Sequence, residues 1–176
     1  NGTLNLLEAI KCENYVFAST GAAENPVSPY AISKLAAEQC VREHCIKNDI
    51  HFTVFRFYNV IGTGGYPPTN PDGLFYNLIM AKKTGKFTIF GNDYNTKDGT
   101  AVRDYIHVLE VCHALELATR KPAAKPGAEF ISLVENLGHG KGHTVKEIVE
   151  TFCKVNNVEM EVEYAPRRWG DAEKTV

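Results

Sequence analysis

Two hydrophobic rhythms alternate along this chain, one recurring every three to four residues and one of short, nearly continuous apolar runs. The first predicts helices over Thr3 to about Lys11, Ser28 to about Lys47, Leu74 to Lys83, His107 to Thr119 and Thr144 to Lys154. Ser28 followed by Pro29 is a strong helix start, since the serine side chain caps and proline suits the first turn. The second rhythm predicts strands over Tyr15–Ser19, His51–Phe57, Phe87–Phe90, Val102–Tyr105, Glu129–Val134 and Glu159–Tyr164, rich in β-branched and aromatic residues. A Gly/Pro-rich loop from Gly62 to Gly73 separates the first four elements from the rest. Strand and helix alternate, which predicts an α/β chain built on a parallel sheet. No internal repeat or low-complexity segment interrupts it.

The strand that ends in Ser19-Thr20, a short loop and the helix start at Ser28 bring chemistry to one place. Tyr30 and Lys34 stand four apart, so their side chains share one helix face about a turn apart. A free phenol titrates near pH 10, too high for a base at neutral pH; an ammonium within about 6 Å favours the phenolate. Such a pair exchanges a proton with a substrate hydroxyl, and a hydroxyl at the strand end orients that exchange. Alone, a Tyr and a Lys at this spacing are two exposed helix residues; the strand, hydroxyls, loop and helix start together point to a site.

This arrangement resembles the extended branch of the short-chain dehydrogenase/reductase superfamily. The segment Asn1 to Ala9 is similar to the helix before the catalytic strand in nucleotide-sugar epimerases, and Arg56-Phe57-Tyr58-Asn59-Val60-Ile61-Gly62 to the RYFNxxG segment of UDP-glucose 4-epimerases. Ile89 to Tyr94, Asp98-Gly99-Thr100 and Val102 to Val108 follow that family closely, and Ala165 to Asp171 is close to its APRREGD signature. The resemblance implies a Rossmann-like doubly wound parallel sheet with a smaller α/β substrate domain. Residues 1–60 would be the end of the NAD-binding domain, and 61–176 mostly the nucleotide-sugar domain, with segments returning to the Rossmann sheet.

The resemblance also implies roles. Tyr30 is the catalytic base; Lys34 lowers its pKa and hydrogen-bonds the nicotinamide ribose; Thr20 bridges the sugar hydroxyl and the tyrosine. Ser19 and Tyr58 join the NAD contacts. Asn59, Asn77, Leu78, Thr88 and Phe90 line the UDP-hexose site, Arg103 and Arg168 clamp the diphosphate, and Asp171 accepts from a ribose hydroxyl. The implied reaction is the interconversion of UDP-glucose and UDP-galactose through a 4-keto intermediate. The alternatives are another nucleotide-sugar enzyme (a 4,6-dehydratase or decarboxylase) and a non-catalytic truncated chain. Dehydratases carry an Asp-Glu pair after the Thr, where Gly21-Ala22 stands. The loop Gly21–Pro29 and the turn at Cys12-Glu13 are shorter than the family's usual.

The family's phosphate-binding GxxGxxG turn belongs to an N-terminal half that has no counterpart in these residues. Gly62-Thr63-Gly64-Gly65 runs into Tyr66-Pro67-Pro68, which cannot open a helix as a dinucleotide site requires. The chain therefore reads as an internal fragment, expected to be poorly stable and inactive by itself. A formal net charge of −2 over 176 residues gives no reason to expect a nucleic acid or membrane partner. No apolar run reaches the ~20 residues of a membrane span. Five cysteines without a CxxC pair fit reduced thiols in a cytoplasmic protein. Asn1-Gly2-Thr3 matches a glycosylation sequon by accident. His139 and His143, four apart in a glycine-rich loop, lack a third ligand nearby, so no metal is expected. Arg103 beside Asp104 has the plainer reading of a surface ion pair, Phe57 of a core aromatic, and His107 of a packed helix start. The resemblance implies a homodimer through helices 3–11 and 28–47, the second carrying Leu35, Ala36, Cys40 and Val41.

Overall fold

In the computed structural model, residues 2–66, 70–120 and 132–176 are described. In chain order the elements are α1 (Gly2–Ala9), β1 (Asn14–Thr20), α2 (Pro29–Lys47), β2 (His51–Phe57), β3 (Asn59–Ile61), α3 (Leu74–Thr84) and β4 (Lys86–Phe90). There follow β5 (Val102–His107), α4 (Val108–Thr119), β6 (Ser132–Leu137), β7 (Gly142–Thr144), α5 (Val145–Asn156), β8 (Glu161–Ala165) and β9 (Lys174–Thr175). The chain divides into two compact units, residues 1–58 with 109–137 and residues 59–108 with 138–176.

The first unit is a three-stranded parallel sheet in the order β1-β2-β6. Asn14 to Thr20 pair in step with His51 to Phe57, and Phe52 to Phe57 with Ser132 to Leu137. Parallel strands need a crossover, and α2 supplies it between β1 and β2. Ser28 caps α2 by accepting a hydrogen bond from the Ala31 amide at 3.2 Å, with Pro29 as first helical residue. Leu7, Val41, Cys45, Ile50, Phe52 and Val54 form the core, with Cys12, Tyr15, Phe17 and Cys40 against it. Burying each large side chain of this kind stabilises by about 1.5–3 kcal/mol. Asn14 closes the lower end by donating to the Ala118 carbonyl of α4 at 2.7 Å.

In the second unit β5 is the hub. It pairs in parallel with β3 and β9 and antiparallel with β7. Elsewhere β4 pairs in parallel with β8, and Leu78, Ala81, Phe87, Ile89 and Val149 form the core beneath α3 and α5. A carboxylate node ties the hub to α5. Asp98 accepts from the Thr100 amide (2.9 Å), the Thr100 hydroxyl (2.8 Å) and the Thr144 hydroxyl (2.5 Å). Thr144 also makes a reciprocal cap with Glu147 at the start of α5.

The α/β class with mostly parallel pairing is as the alternation predicts; the exception is the β5–β7 pair, made by a three-residue return after the Gly-rich turn. His107 ends β5 instead of opening a helix, and its ring occupies the space a Cβ on Gly62 would need. Gly62 has φ +91°, a backbone conformation that glycine adopts freely. Of the expected strand Glu129–Val134, the described part is in β6, which runs on to Leu137; residues 129–131 lie outside those described, as do 67–69 of the Gly/Pro loop.

Candidate functional site

Each unit holds its own group of the residues singled out by sequence. In the first, they gather at the carboxyl ends of β1 and β2. Tyr30 lies in the first turn of α2 and is 59% exposed. Its carbonyl accepts from the Ser33 hydroxyl at 2.7 Å. One turn on, the Lys34 ammonium donates to the Ala18 carbonyl at 2.8 Å and sits 4.9 Å above the Phe17 ring. Both contacts are to β1, so the strand fixes where the lysine stands. Thr20, the last residue of β1, accepts from the Ala22 amide at 3.3 Å and caps the short turn Gly21–Ala23.

Ser19 and Tyr58 are engaged with protein. The buried Ser19 hydroxyl donates to Glu38 at 2.5 Å. The Tyr58 hydroxyl donates to Glu24 at 3.1 Å, and its ring lies against Gly21, where a Cβ would come within 2.9 Å of two ring carbons. Glu38 escaped the sequence reading, yet it is 4% exposed and anchors the group. Arg56 of β2 forks onto it, Nε to one oxygen at 3.0 Å and Nη2 to the other at 2.7 Å. Burial opposes the Glu38 charge, but the hydrogen bonds from Arg56 and Ser19, with the charges of Arg56 and Lys34, hold the carboxyl below its ordinary value. The bond to Glu38 in turn holds the Arg56 guanidinium above its own. A signal was available: Glu38 follows Lys34 by four, with an Arg in the next strand.

In the second unit the expected residues lie along β3, β5, α3, β4 and the segment after β8. The Asn59 side chain donates to the Asp104 carbonyl at 3.1 Å. Arg103 donates to the carbonyls of Val102 (2.9 Å) and Glu173 (3.4 Å) and to the Asp171 carboxylate (3.3 Å). Two of the expected residues, Arg103 and Asp171, are thus already an ion pair. The Arg168 guanidinium stacks 3.9 Å over the Phe90 ring, and Arg167 lies 4.0 Å over Tyr94 while donating to Asp93 at 2.7 Å. That bond holds the Asp93 carboxyl below its ordinary range. Burial pushes the Tyr94 phenol up, and its hydroxyl finds no hydrogen-bond partner among the described residues. Thr88 is exposed on β4.

Two positions turn inward. The Asn77 side chain closes the loop before α3, donating to the carbonyls of Pro71 (2.7 Å) and Gly73 (3.0 Å). Leu78 is wholly buried in the core beneath α3. The reading of Arg103 and Asp104 as a surface pair does not hold. Neighbours on a strand face opposite ways, and Asp104, 1% exposed, accepts from the amides of His139 (3.0 Å) and Gly140 (2.7 Å). It pins the glycine-rich loop that follows β6. Among the described residues no helix is long and apolar enough to cross a membrane.

The family described as NAD dependent epimerase/dehydratase matches residues 1–133. UDP-glucose 4-epimerase 4 of Oryza sativa subsp. japonica is 36% identical over 98% of this chain and 53% of its own length. UDP-glucose 4-epimerase of Yersinia pestis is 32% identical over 97% of this chain and 57% of its own. The chain thus spans just over half the length of these curated relatives. Among solved structures, UDP-glucose 4-epimerase of Thermus thermophilus in complex with NAD superposes with a TM-score of 0.82, at 30% identity, over 99% of this chain and 59% of that one.

Proposed function

This chain belongs to the NAD dependent epimerase/dehydratase family, and from that premise we propose that the protein is a UDP-glucose 4-epimerase, interconverting UDP-glucose and UDP-galactose through a 4-keto sugar with tightly held NAD. One arrangement carries the reading. Tyr30 stands exposed in the first turn of α2, Lys34 follows it on the same face tied to β1, and Thr20 closes that strand. Relatives named UDP-glucose 4-epimerase match 97% and 98% of this chain, which supports the reading.

NAD, when bound, supplies the acceptor and donor of hydride. The residues present fit its nicotinamide end. Lys34 spends one of three donors on Ala18, leaving two for ribose hydroxyls. The Ser19 and Tyr58 hydroxyls already donate hydrogen bonds to Glu38 and Glu24, so Ser19 offers lone pairs only and Tyr58 a ring wall. Tyr30 as phenolate takes the proton from the sugar 4-hydroxyl, and Thr20 holds that hydroxyl in line. When the keto sugar has presented its other face, Tyr30 returns the proton to the 4-oxygen. Proton transfer of this kind is worth about 10²–10⁴ in rate.

Binding energy has to come from the nucleotide end, so that the sugar stays free to turn over. Arg103 and Arg168 are the cations for the diphosphate and Asp171 the acceptor for a ribose hydroxyl. Arg103 must exchange its 3.3 Å bond to Asp171 for a phosphate oxygen. Asn59, Asn77, Thr88 and Phe90 complete the nucleotide-sugar contacts, with the Leu78 side chain packed in the core beneath α3. Gly21-Ala22 offers no acid pair for dehydration, and the Tyr58 ring leaves no room for a side chain at Gly21. The apolar residues Leu4, Leu6 and Ile10 of the α1 segment and Ile32 and Ile46 of α2 are exposed, which supports a homodimer built on these helices. The reading places the protein in the cytoplasm.

The test is a coupled assay on protein expressed from the complete coding sequence, with NAD added. Tyr30→Phe is expected to lower kcat by at least a hundredfold with little change in KM. A Tyr30→Phe protein that turns over like the parent would sink the assignment.

A further inference from the structure

We propose that Glu38 is the positioning residue of this site, acting through Lys34 and Tyr30 by locking α2 to the ends of β1 and β2. The inference rests on the reading of Tyr30 and Lys34 as the working pair.

Tyr30, Lys34 and Glu38 fall at i, i+4 and i+8 on α2, one stripe along a single face. The outer two-thirds of that stripe meets the ligand; the inner third is a buried carboxylate with three hydrogen bonds. One comes from Ser19, the residue before Thr20 and next to Ala18, whose carbonyl holds Lys34. Two come from Arg56 of β2, opposite Ser19 in the parallel register. Glu38 therefore binds the helix to both strands at the level where the hydroxyl and lysine contacts are made. Rotation or sliding of α2 strains these charge-assisted bonds together with the contact between Lys34 and Ala18.

A greasy contact would hold the helix as firmly against the sheet. It would not set the angle about the helix axis, because apolar packing is non-directional whereas the forked guanidinium and the serine hydroxyl are directional. Orientation is what a proton transfer needs, and a misplacement of about 1 Å from a distant change costs on the order of 10²-fold in rate. The same carboxylate and Arg56 also line an open pocket of about 570 Å³ with Gln39, Arg42 and Asn136, so solvent reaches this side of the tether.

The experiment uses protein from the complete coding sequence and compares Glu38→Gln, Lys34→Met and the double variant. Glu38→Gln is expected to lower kcat about tenfold to a hundredfold with KM within about threefold of the parent. It should also raise hydrogen exchange at the amides of the first turns of α2. In the Lys34→Met background, Glu38→Gln should lower kcat by less than about threefold, because it acts through the lysine. If Glu38→Gln does not fold, Arg56→Lys carries the same comparison, replacing the two-pronged β2 branch of the tether by a single ammonium. Unchanged kcat, or losses that multiply in the double variant, would overturn the proposal, since a group that merely adds stability behaves so. If Lys34→Met and Tyr30→Phe leave activity intact, the working-pair reading itself fails, which the single variants report separately.

Discussion

Asp104 offers a perturbation whose cost can be worked from two distances. Its carboxylate, 1% exposed, accepts from the His139 amide at 3.0 Å and the Gly140 amide at 2.7 Å. A hydrogen bond to a charged acceptor contributes about 1.5–3 kcal/mol. Asp104→Asn keeps size and shape but offers one oxygen for two amides and turns an NH2 towards the other. One bond is lost and a buried donor is left unsatisfied, so the variant should be less stable by about 2–3 kcal/mol. Asp104→Ala leaves both amides unsatisfied and should cost more. The assay is urea unfolding, read as a shift in midpoint at constant slope. The exposed Lys154→Gln serves as the control, expected within about 0.5 kcal/mol of the parent. An Asp104→Asn protein as stable as that control would refute the reasoning that this carboxylate holds the loop after β6.

Leu78→Ala, at the wholly buried centre of the second core, should cost about 2–5 kcal/mol in the same assay. Stability should fall on acidification. Burial works against the charge of Asp98 and Glu38, but hydrogen bonds from Thr144 and Thr100 to the one, and from Arg56 and Ser19 to the other, hold both carboxyls below their unfolded values. Their contribution is present above the ordinary carboxylate range and lost as pH drops through the folded pKa values. Asp98→Asn should therefore flatten the stability profile below about pH 4.5. Burial pushes the Cys45 thiol up to about 11, while Cys112 is exposed. Iodoacetamide at pH 8 should modify Cys112 well before Cys45, as read by peptide mass.

The helices were legible because each has a start signal or a long apolar stripe: Ser28-Pro29 for α2, Thr144 with Glu147 for α5. The strands β1, β2, β4 and β5 announced themselves as β-branched or aromatic runs. The two- and three-residue strands β3, β7 and β9 did not, since so short a segment has no period; they exist because β5 offers them partners. Tyr30 and Lys34 could be read because their relation is local, four residues on one helix. Asp104 could not, since its partners lie 35 and 36 residues away, and its neighbour Arg103 drew attention as a false partner. The motif that names Leu78 gives its position but not which atoms face inward, so its burial was not legible in the sequence.

The most direct measurement follows the hydrogen on C4. UDP-glucose carrying deuterium at C4 is incubated with NAD and protein expressed from the complete coding sequence, and the UDP-galactose formed is examined by mass and proton resonance. A hydride that leaves and returns within one pocket, with Tyr30 moving only the hydroxyl proton, predicts that the deuterium remains on C4 of the product. It also predicts that Tyr30→Phe forms almost none. No conversion by the parent protein, or conversion with the label lost to water, would contradict it.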